Sequence, residues 1–188
     1  MTFSGRDIRH ALEHGELNIE RDGDLSVHPS SIDLHLANDI FRPEMVGDMG
    51  SVKVDTEGSY PLHIPDFDKQ FYDKITLDPQ EFVLATTDEW VDLPNDVMGE
   101  VKGRSSVGRL GLFVHNAGLI DAGFSGNITL ELFNAAPYPI KLVPDMRICQ
   151  MTLERHDTPP QIEYGEEKGS KYDDQSGVTP SRLYEDFE

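Results

Sequence analysis

Between residues 97 and 155 the chain carries five short apolar runs: Val97-Met98-Gly99-Glu100-Val101-Lys102, Gly111-Leu112-Phe113-Val114-His115, Gly126-Asn127-Ile128-Thr129-Leu130-Glu131-Leu132-Phe133-Asn134, Pro139-Ile140-Lys141-Leu142-Val143 and Ile148-Cys149-Gln150-Met151-Thr152-Leu153-Glu154-Arg155. Turn residues separate them, with 134–139 and Pro144-Asp145 the clearest breaks. Strands this short and this closely spaced predict a mainly β fold, a barrel or jelly-roll-like sandwich, rather than alternating helix and strand. The third run also assigns faces. Ile128, Leu130 and Leu132 share one side of the strand, and Thr129, Glu131 and Phe133 share the other.

Outward from this region the pattern persists on the N-terminal side. Ile32, Leu34 and Leu36 alternate with Asp33 and His35, and Phe82, Leu84 and Thr86 alternate with Val83 and Ala85, so both stretches read as strands. Before them, Ser4 and Asp7 have capping-box spacing, and Ile8, Ala11 and Leu12 form an apolar stripe that ends at Gly15. One short helix is predicted over 5–14. Residues 42–72 hold Pro43, Gly47, Gly50, Gly58, Pro61 and Pro65 and read as long excursions with one irregular hairpin. From about residue 156, Pro159-Pro160 and mixed charge without periodicity read as a mobile C-terminal arm.

Composition narrows the function classes. With 188 residues, 37% of them hydrophobic, the expectation is one domain spanning 1–188. The formal net charge of −19 disfavours binding to nucleic acid or to an anionic membrane surface, and it suits high salt, where screening relieves self-repulsion. Nine Phe and six Tyr argue against an acidic disordered chain. Cys149 is the only cysteine, which rules out an intramolecular disulfide and a multi-cysteine zinc site. No apolar run reaches membrane-spanning length and the N-terminus lacks a secretory core, so the expectation is a soluble cytoplasmic protein.

Three segments could carry chemistry. Gly103-Arg104-Ser105-Ser106-Val107-Gly108-Arg109 puts two guanidinium groups, two hydroxyls and two glycines into one turn, which suits a polyphosphate; the plain alternative is a capped helical turn with solvated arginines. Asp121, within Gly118-Leu119-Ile120-Asp121-Ala122-Gly123, is either an Asx-turn residue or an acceptor for a sugar hydroxyl. Glu131 is an ordinary exposed carboxylate if its face is solvated, and a candidate general base if that face lines a pocket. The seven histidines, His28, His35 and His115 among them, are read as lacking the H-x-x-x-H or H-E-x-x-H spacing that would build a metal site, and so as structural or surface residues. Trp90 and Phe113 read as core or subunit-contact residues, and Cys149 as a small buried one.

Taken in order, G-R-S-S-V-G-R-L-G-L from Gly103, H-N-A-G-L-I-D-A-G-F-S-G from His115, I-T-L-E-L-F-N from Ile128, M-R-I-C-Q from Met146 and G-S-K-Y-D-D-Q-S-G from Gly169 resemble the successive motifs of the dCTP deaminases, relatives of the trimeric dUTPases. H-P-S-S-I-D-L-H-L from His28 and T-P-S-R-L-Y from Thr179 extend the resemblance over most of the chain outside 42–73. The resemblance implies a dUTPase-like distorted jelly-roll or β-clip barrel with a short N-terminal helix and a C-terminal arm over 156–188 that closes on the site. It implies Glu131 as catalytic base with Ser105 and Arg109 beside it. The turn Arg104, Ser105, Ser106, Val107, Gly108 and Arg109 would hold phosphates, Asp121 the deoxyribose 3′-hydroxyl, and the backbone near Thr129 and Leu130 the base. Gln150 and, from the arm, Tyr164, Lys171 and Gln175 would complete the nucleotide site.

The implied partners are dCTP or dUTP, magnesium carried on the triphosphate, no zinc, and two further copies of the chain in a homotrimer with sites between subunits. Zinc deaminases rely on an H-x-E and P-C-x-x-C pattern that one cysteine cannot supply, so a carboxylate must activate the water. The loop Asn116-Ala117-Gly118-Leu119-Ile120 is shorter than in many deaminases and closer to the dUTPase motif, as in family members that convert dCTP directly to dUMP. Three chemistries therefore stay open: deamination alone, deamination with cleavage to dUMP and pyrophosphate, and dUTP hydrolysis alone. A non-catalytic nucleotide-binding regulator is the alternative of a different class.

Overall fold

The computed structural model describes residues 1–42, 70–71, 73–115, 119–162, 164–166 and 170–182. Its elements run α1 (Gly5–Glu13), β1 (Asn18–Glu20), β2 (Ser26–Val27), β3 (Ile32–Phe41), β4 (Gln70–Phe71), β5 (Ile75–Leu77), β6 (Phe82–Asp92), β7 (Val97–Gly103), α2 (Ser105–Gly108), β8 (Leu112–His115), β9 (Leu119–Ile120), β10 (Ser125–Asn134), β11 (Ile140–Leu142) and β12 (Arg147–Arg155). The mainly β expectation holds, and the five quoted runs fall on β7, β8, β10, β11 and β12. The stretch 42–72 lies outside the described residues except for Arg42 and the β4 backbone, as do Asn116–Gly118 of the short loop.

The long strands form one antiparallel, curled sheet in the order β8-β10-β6-β3-β12-β7-β9, with β1 added to β6, β2 and β4 added to β3, and a separate β5–β11 pair. The curl closes a core around Leu34, Leu36, Val83, Ala85, Leu130, Leu132, Ile148 and Met151, all at or near zero exposure. Burial alternates residue by residue along β10, with Ile128, Leu130 and Leu132 inward. In β3 the alternation fails because the strand is covered on both faces. Asp33 and His35, which alternation would place in solvent, are buried.

That burial is accommodated by pairing. Glu89 on β6 is fully buried and accepts from the His35 backbone N–H at 2.8 Å and contacts His35 Nδ1 at 2.6 Å, while Arg21 Nε lies 3.3 Å from it. Arg21 also reaches Asp88 and Asp145, so one guanidinium ties the segment after β1 to β6 and to the turn before β12. Removing one member would leave a buried charge uncompensated, at a cost of about 3–5 kcal/mol.

The helix α1 ends one residue before the predicted boundary. Ser4 and Asp7 form both halves of a capping box, and the Ser4 hydroxyl and amide hold the Asp7 carboxyl below its ordinary pKa. Cys149 is fully buried between β3 and β7, and desolvation pushes its thiol well above the ordinary range. Phe113 is 59% exposed and is no core residue; Trp90 is half-buried and donates its indole N–H to Ser125 Oγ at 3.2 Å.

Candidate active site

Glu131 occupies the middle of β10, opposite His115 on β8 and Leu84 on β6. Directly opposed residues of antiparallel strands project to the same side, so Glu131 shares its face with His115 and Leu84, next to a row formed by Phe113, Phe133 and Phe82. Its side chain is 28% exposed, and His115 Nδ1 lies 3.8 Å from Oε2, too far for a hydrogen bond. Oε2 is buried and has no hydrogen-bond partner among the described residues. Desolvation raises the carboxyl pKa, against smaller opposing effects from a backbone hydrogen bond and from His115. A carboxylate held this way is suited to accept a proton.

The Arg104–Arg109 segment folds as the helical turn α2 with Arg104 as extended N-cap. Val107 is its buried anchor; Ser105, Ser106, Gly108 and Arg109 are exposed. Gly111, at φ +88°, lets the chain re-enter β8 against Ala136, where a Cβ would come within 2.8 Å of the Ala136 side chain. Arg104 points inward instead: Nη2 is 3.1 Å from Asp33 Oδ2, and Nη1 donates to the Arg147 carbonyl at 2.9 Å. Gln150 stands opposite Asp33, takes the Ser31 hydroxyl at 3.3 Å and donates to the Gly103 carbonyl at 3.2 Å.

The exposed Asp121 opens the turn that leads into β10, with Ala122 and Phe124 buried and the Phe124 N–H donating to the Asp121 carbonyl at 3.2 Å. The arm returns here. Tyr164 packs near Phe124, with ring centroids 6.0 Å apart, and its phenol pKa is raised by burial and, to a smaller extent, by Asp121 and Asp173. Further on, Gln175 runs parallel to Gly126. The Asn127 N–H donates to the Gln175 carbonyl at 2.9 Å, and Gln175 Nε2 donates to the Asn127 carbonyl at 2.6 Å. The Gly177 N–H donates to Asn127 Oδ1 at 3.0 Å, the Thr179 N–H to Thr129 Oγ1 at 3.2 Å, and the Val178 N–H to Asp39 Oδ2 at 2.9 Å. Gly126 makes this approach possible: at φ +144°, a Cβ there would sit 2.8 Å from the Gln175 carbonyl oxygen.

The predicted residues therefore fall into three groups. The arm's Tyr164 reaches the Asp121 turn, and Gln175 lies along β10 with Thr129 and the fully buried Leu130; the half-buried Lys171 accepts the Arg182 guanidinium on its carbonyl. Gln150 lies beneath α2. Glu131 stands apart with His115: among the described residues no hydrogen bond or ion pair joins it to Ser105 or Arg109, which were expected beside it. The reason is register, since α2 leads into the Leu112 end of β8, paired with Asn134, whereas Glu131 pairs with the other end.

Sequence reading missed Asp33, Arg147 and Asn127, which have partners far along the chain, and His28, which reaches Asp33 five residues on. The reading that no histidines have H-x-x-x-H spacing is also wrong: His10 and the C-cap His14 have it, and they stack in exposed positions with centroids 4.1 Å apart. No group of three or more His, Cys, Asp or Glu among the described residues could hold a metal ion.

A curled antiparallel sheet with a helical turn before the edge strand β8 and an arm folded along β10 places the chain in a class of β folds already seen in nucleotide enzymes. The crystal structure of 2′-deoxycytidine 5′-triphosphate deaminase from Agrobacterium tumefaciens superposes with a TM-score of 0.61 at 23% identity, over 82% of this chain and 48% of that one, so this chain spans about half the length of that structure. A family model described as dCTP deaminase-like matches residues 2–156, and the chain belongs to that family. Among its relatives, a "dCTP deaminase, dUMP-forming" from Aquifex aeolicus is 46% identical over 100% of this chain and 98% of that protein. A protein of the same description from Halobacterium salinarum is 39% identical over 100% and 97%. One from Natronomonas pharaonis, described as "dCTP deaminase", is also 39% identical over 100% and 97%.

Proposed function

We propose that this chain hydrolyses the exocyclic amine of dCTP and cleaves the resulting dUTP to dUMP and pyrophosphate. The observation that carries the reading is Glu131: a carboxylate on a sheet face, raised in pKa by desolvation, with one buried oxygen lacking a hydrogen-bond partner among the described residues. Glu131 takes a proton from water as the water oxygen bonds to C4 and passes it to N3; it then takes the proton of the new C4 hydroxyl and passes it to the amine, so that the C4–N bond breaks, the carbonyl forms and ammonia leaves. In the second step a further water attacks the α-phosphate and pyrophosphate departs. The identity to relatives described as dUMP-forming and the short loop from Asn116 to Ile120 support this second step.

Ser105 and Arg109 orient water and carboxylate, the Arg104–Arg109 turn binds phosphates, and Asp121 binds the 3′-hydroxyl. Thr129, Leu130, Gln150, Tyr164, Lys171 and Gln175 enclose the nucleotide. Because α2 and Glu131 occupy different parts of one chain, the reading places them in one site across the subunits of a homotrimer. Magnesium supplies charge neutralisation on the triphosphate oxygens, where a small, strongly hydrated ion needs no protein cage. Residues 1–188 act as one domain with the arm as its closing segment.

Glu131→Gln tests the reading. It keeps the shape and cannot accept a proton, so ammonia release from dCTP falls by about two to four orders of magnitude while nucleotide still binds. Incubating wild type with dCTP and, separately, with dUTP and magnesium should give dUMP and pyrophosphate from both. Undiminished ammonia release by the variant would remove Glu131 as the base, and accumulation of dUTP without pyrophosphate would remove the cleavage step.

A further inference from the structure

Asp33 is 1% exposed, and its Oδ2 lies 3.0 Å from His28 Nε2, 3.1 Å from Arg104 Nη2 and 3.5 Å from Arg147 Nη1. A carboxylate this deeply buried persists as an anion only when paired. Two guanidinium groups and an imidazole around one carboxylate leave the cluster net positive, in a chain whose total is −19. The positive ends remain reachable, since the Arg104 and Arg147 side chains are 21% and 46% exposed. Arg104 ion-pairs through Nη2 with Asp33 and donates Nη1 to the Arg147 carbonyl, leaving further guanidinium hydrogens for another acceptor. Gln150, the cross-strand neighbour of Asp33, fixes the Gly103 carbonyl one residue earlier. Backbone and guanidinium of the Arg104 turn are thus both anchored to β3 and β12.

We propose that Asp33 is a positioning residue for triphosphate binding: it fixes the guanidinium planes of Arg104 and Arg147, and so makes Arg147 a phosphate contact beside the α2 turn. This rests on assigning that turn to phosphate. An unanchored arginine would have to freeze its rotamers on binding, whereas one clamped by Asp33 and a carbonyl has already lost them, so the anion meets donors in place. Forked, planar donors are the geometry a phosphate oxygen pair requires.

The test uses the full-length protein, with tripolyphosphate plus magnesium as competitive inhibitor of dCTP turnover. Asp33→Asn should raise the inhibition constant of tripolyphosphate and the KM of dCTP by about tenfold or more, with kcat changed by less than about threefold. Arg147→Gln should raise the same inhibition constant. Arg104→Ala should do so as well, and the Asp33→Asn/Arg104→Ala double variant should be no weaker than the weaker-binding single variant, because one residue acts through the other. Additive losses, or an equal fall in kcat, would reduce Asp33 to a structural role. Normal tripolyphosphate affinity in Asp33→Asn or Arg147→Gln with a loss in Arg104→Ala overturns this inference alone, whereas normal affinity in Arg104→Ala overturns the phosphate assignment itself. If Asp33→Asn does not fold, Arg104→Lys decides: lysine keeps the charge without the fork, so affinity should fall as with alanine, and full affinity refutes the clamp.

Discussion

The Glu131 carboxyl is held above its ordinary pKa mainly by desolvation, and that shift has a sign for both rate and stability. A general base works only when ionised, so the acid limb of kcat/KM for deamination should lie above the usual carboxylate range. The stability effect runs in parallel. Between the unfolded pKa and the raised folded one, the native state binds more protons than the unfolded state, and stability falls as pH rises through that window. Glu131→Gln removes the penalty, so the variant should melt higher than wild type at neutral pH and lose that advantage below the unfolded carboxyl pKa. Thermal melts at several pH values measure it, and an equal difference at all pH would disprove the linkage. His115, 3.8 Å away and 76% exposed, is too distant and too solvated to cancel the burial effect.

At the level of elements, Asn127 makes most of the arm's attachment to β10, with Ser125 and Thr129 accepting one bond each from Asp174 and Thr179. Asn127 accepts from Gly177, exchanges two bonds with the Gln175 amides and carbonyl, and secures its own amide to the Thr87 and Glu89 carbonyls at 3.3 and 2.9 Å. Asn127→Ala deletes the Gly177 contact and takes the side-chain amide donor from both β6 carbonyls, the Glu89 carbonyl keeping only the Thr87 hydroxyl at 3.0 Å, at about 1–3 kcal/mol. Limited proteolysis should cut the arm faster in this variant, and the KM for dCTP should rise about tenfold, less than the rise expected when the whole arm is removed by truncation after Pro160. Unchanged cleavage and KM would show that the arm is held elsewhere. Helix, strands and inward residues were legible in the sequence because periodicity and capping are local. Asp33–Arg104, Asn127–Gln175 and His35–Glu89 were not, since each joins segments remote in sequence, and alternation misassigned Asp33 and His35 on a strand covered on both faces.

For the whole molecule, the exposed row of Phe82 and Phe113 beside Glu131 is apolar surface that a solitary acidic chain would not gain from displaying. If the proposed homotrimer packs across this edge, wild type should have a trimer's mass by light scattering and Phe113→Asp a monomer's, with turnover abolished; an unchanged mass in the variant would place the interface elsewhere. Among the described residues no helix is long and apolar enough to cross a membrane. The core also holds the one cysteine of the sequence. Its lone thiol, Cys149, is fully buried between β3 and β7, and burial pushes its pKa up, so the native molecule should resist alkylating agents. Each molecule that takes up a label has parted β12 from its neighbours, and the labelling rate therefore counts excursions of the core through chemistry already present in the chain.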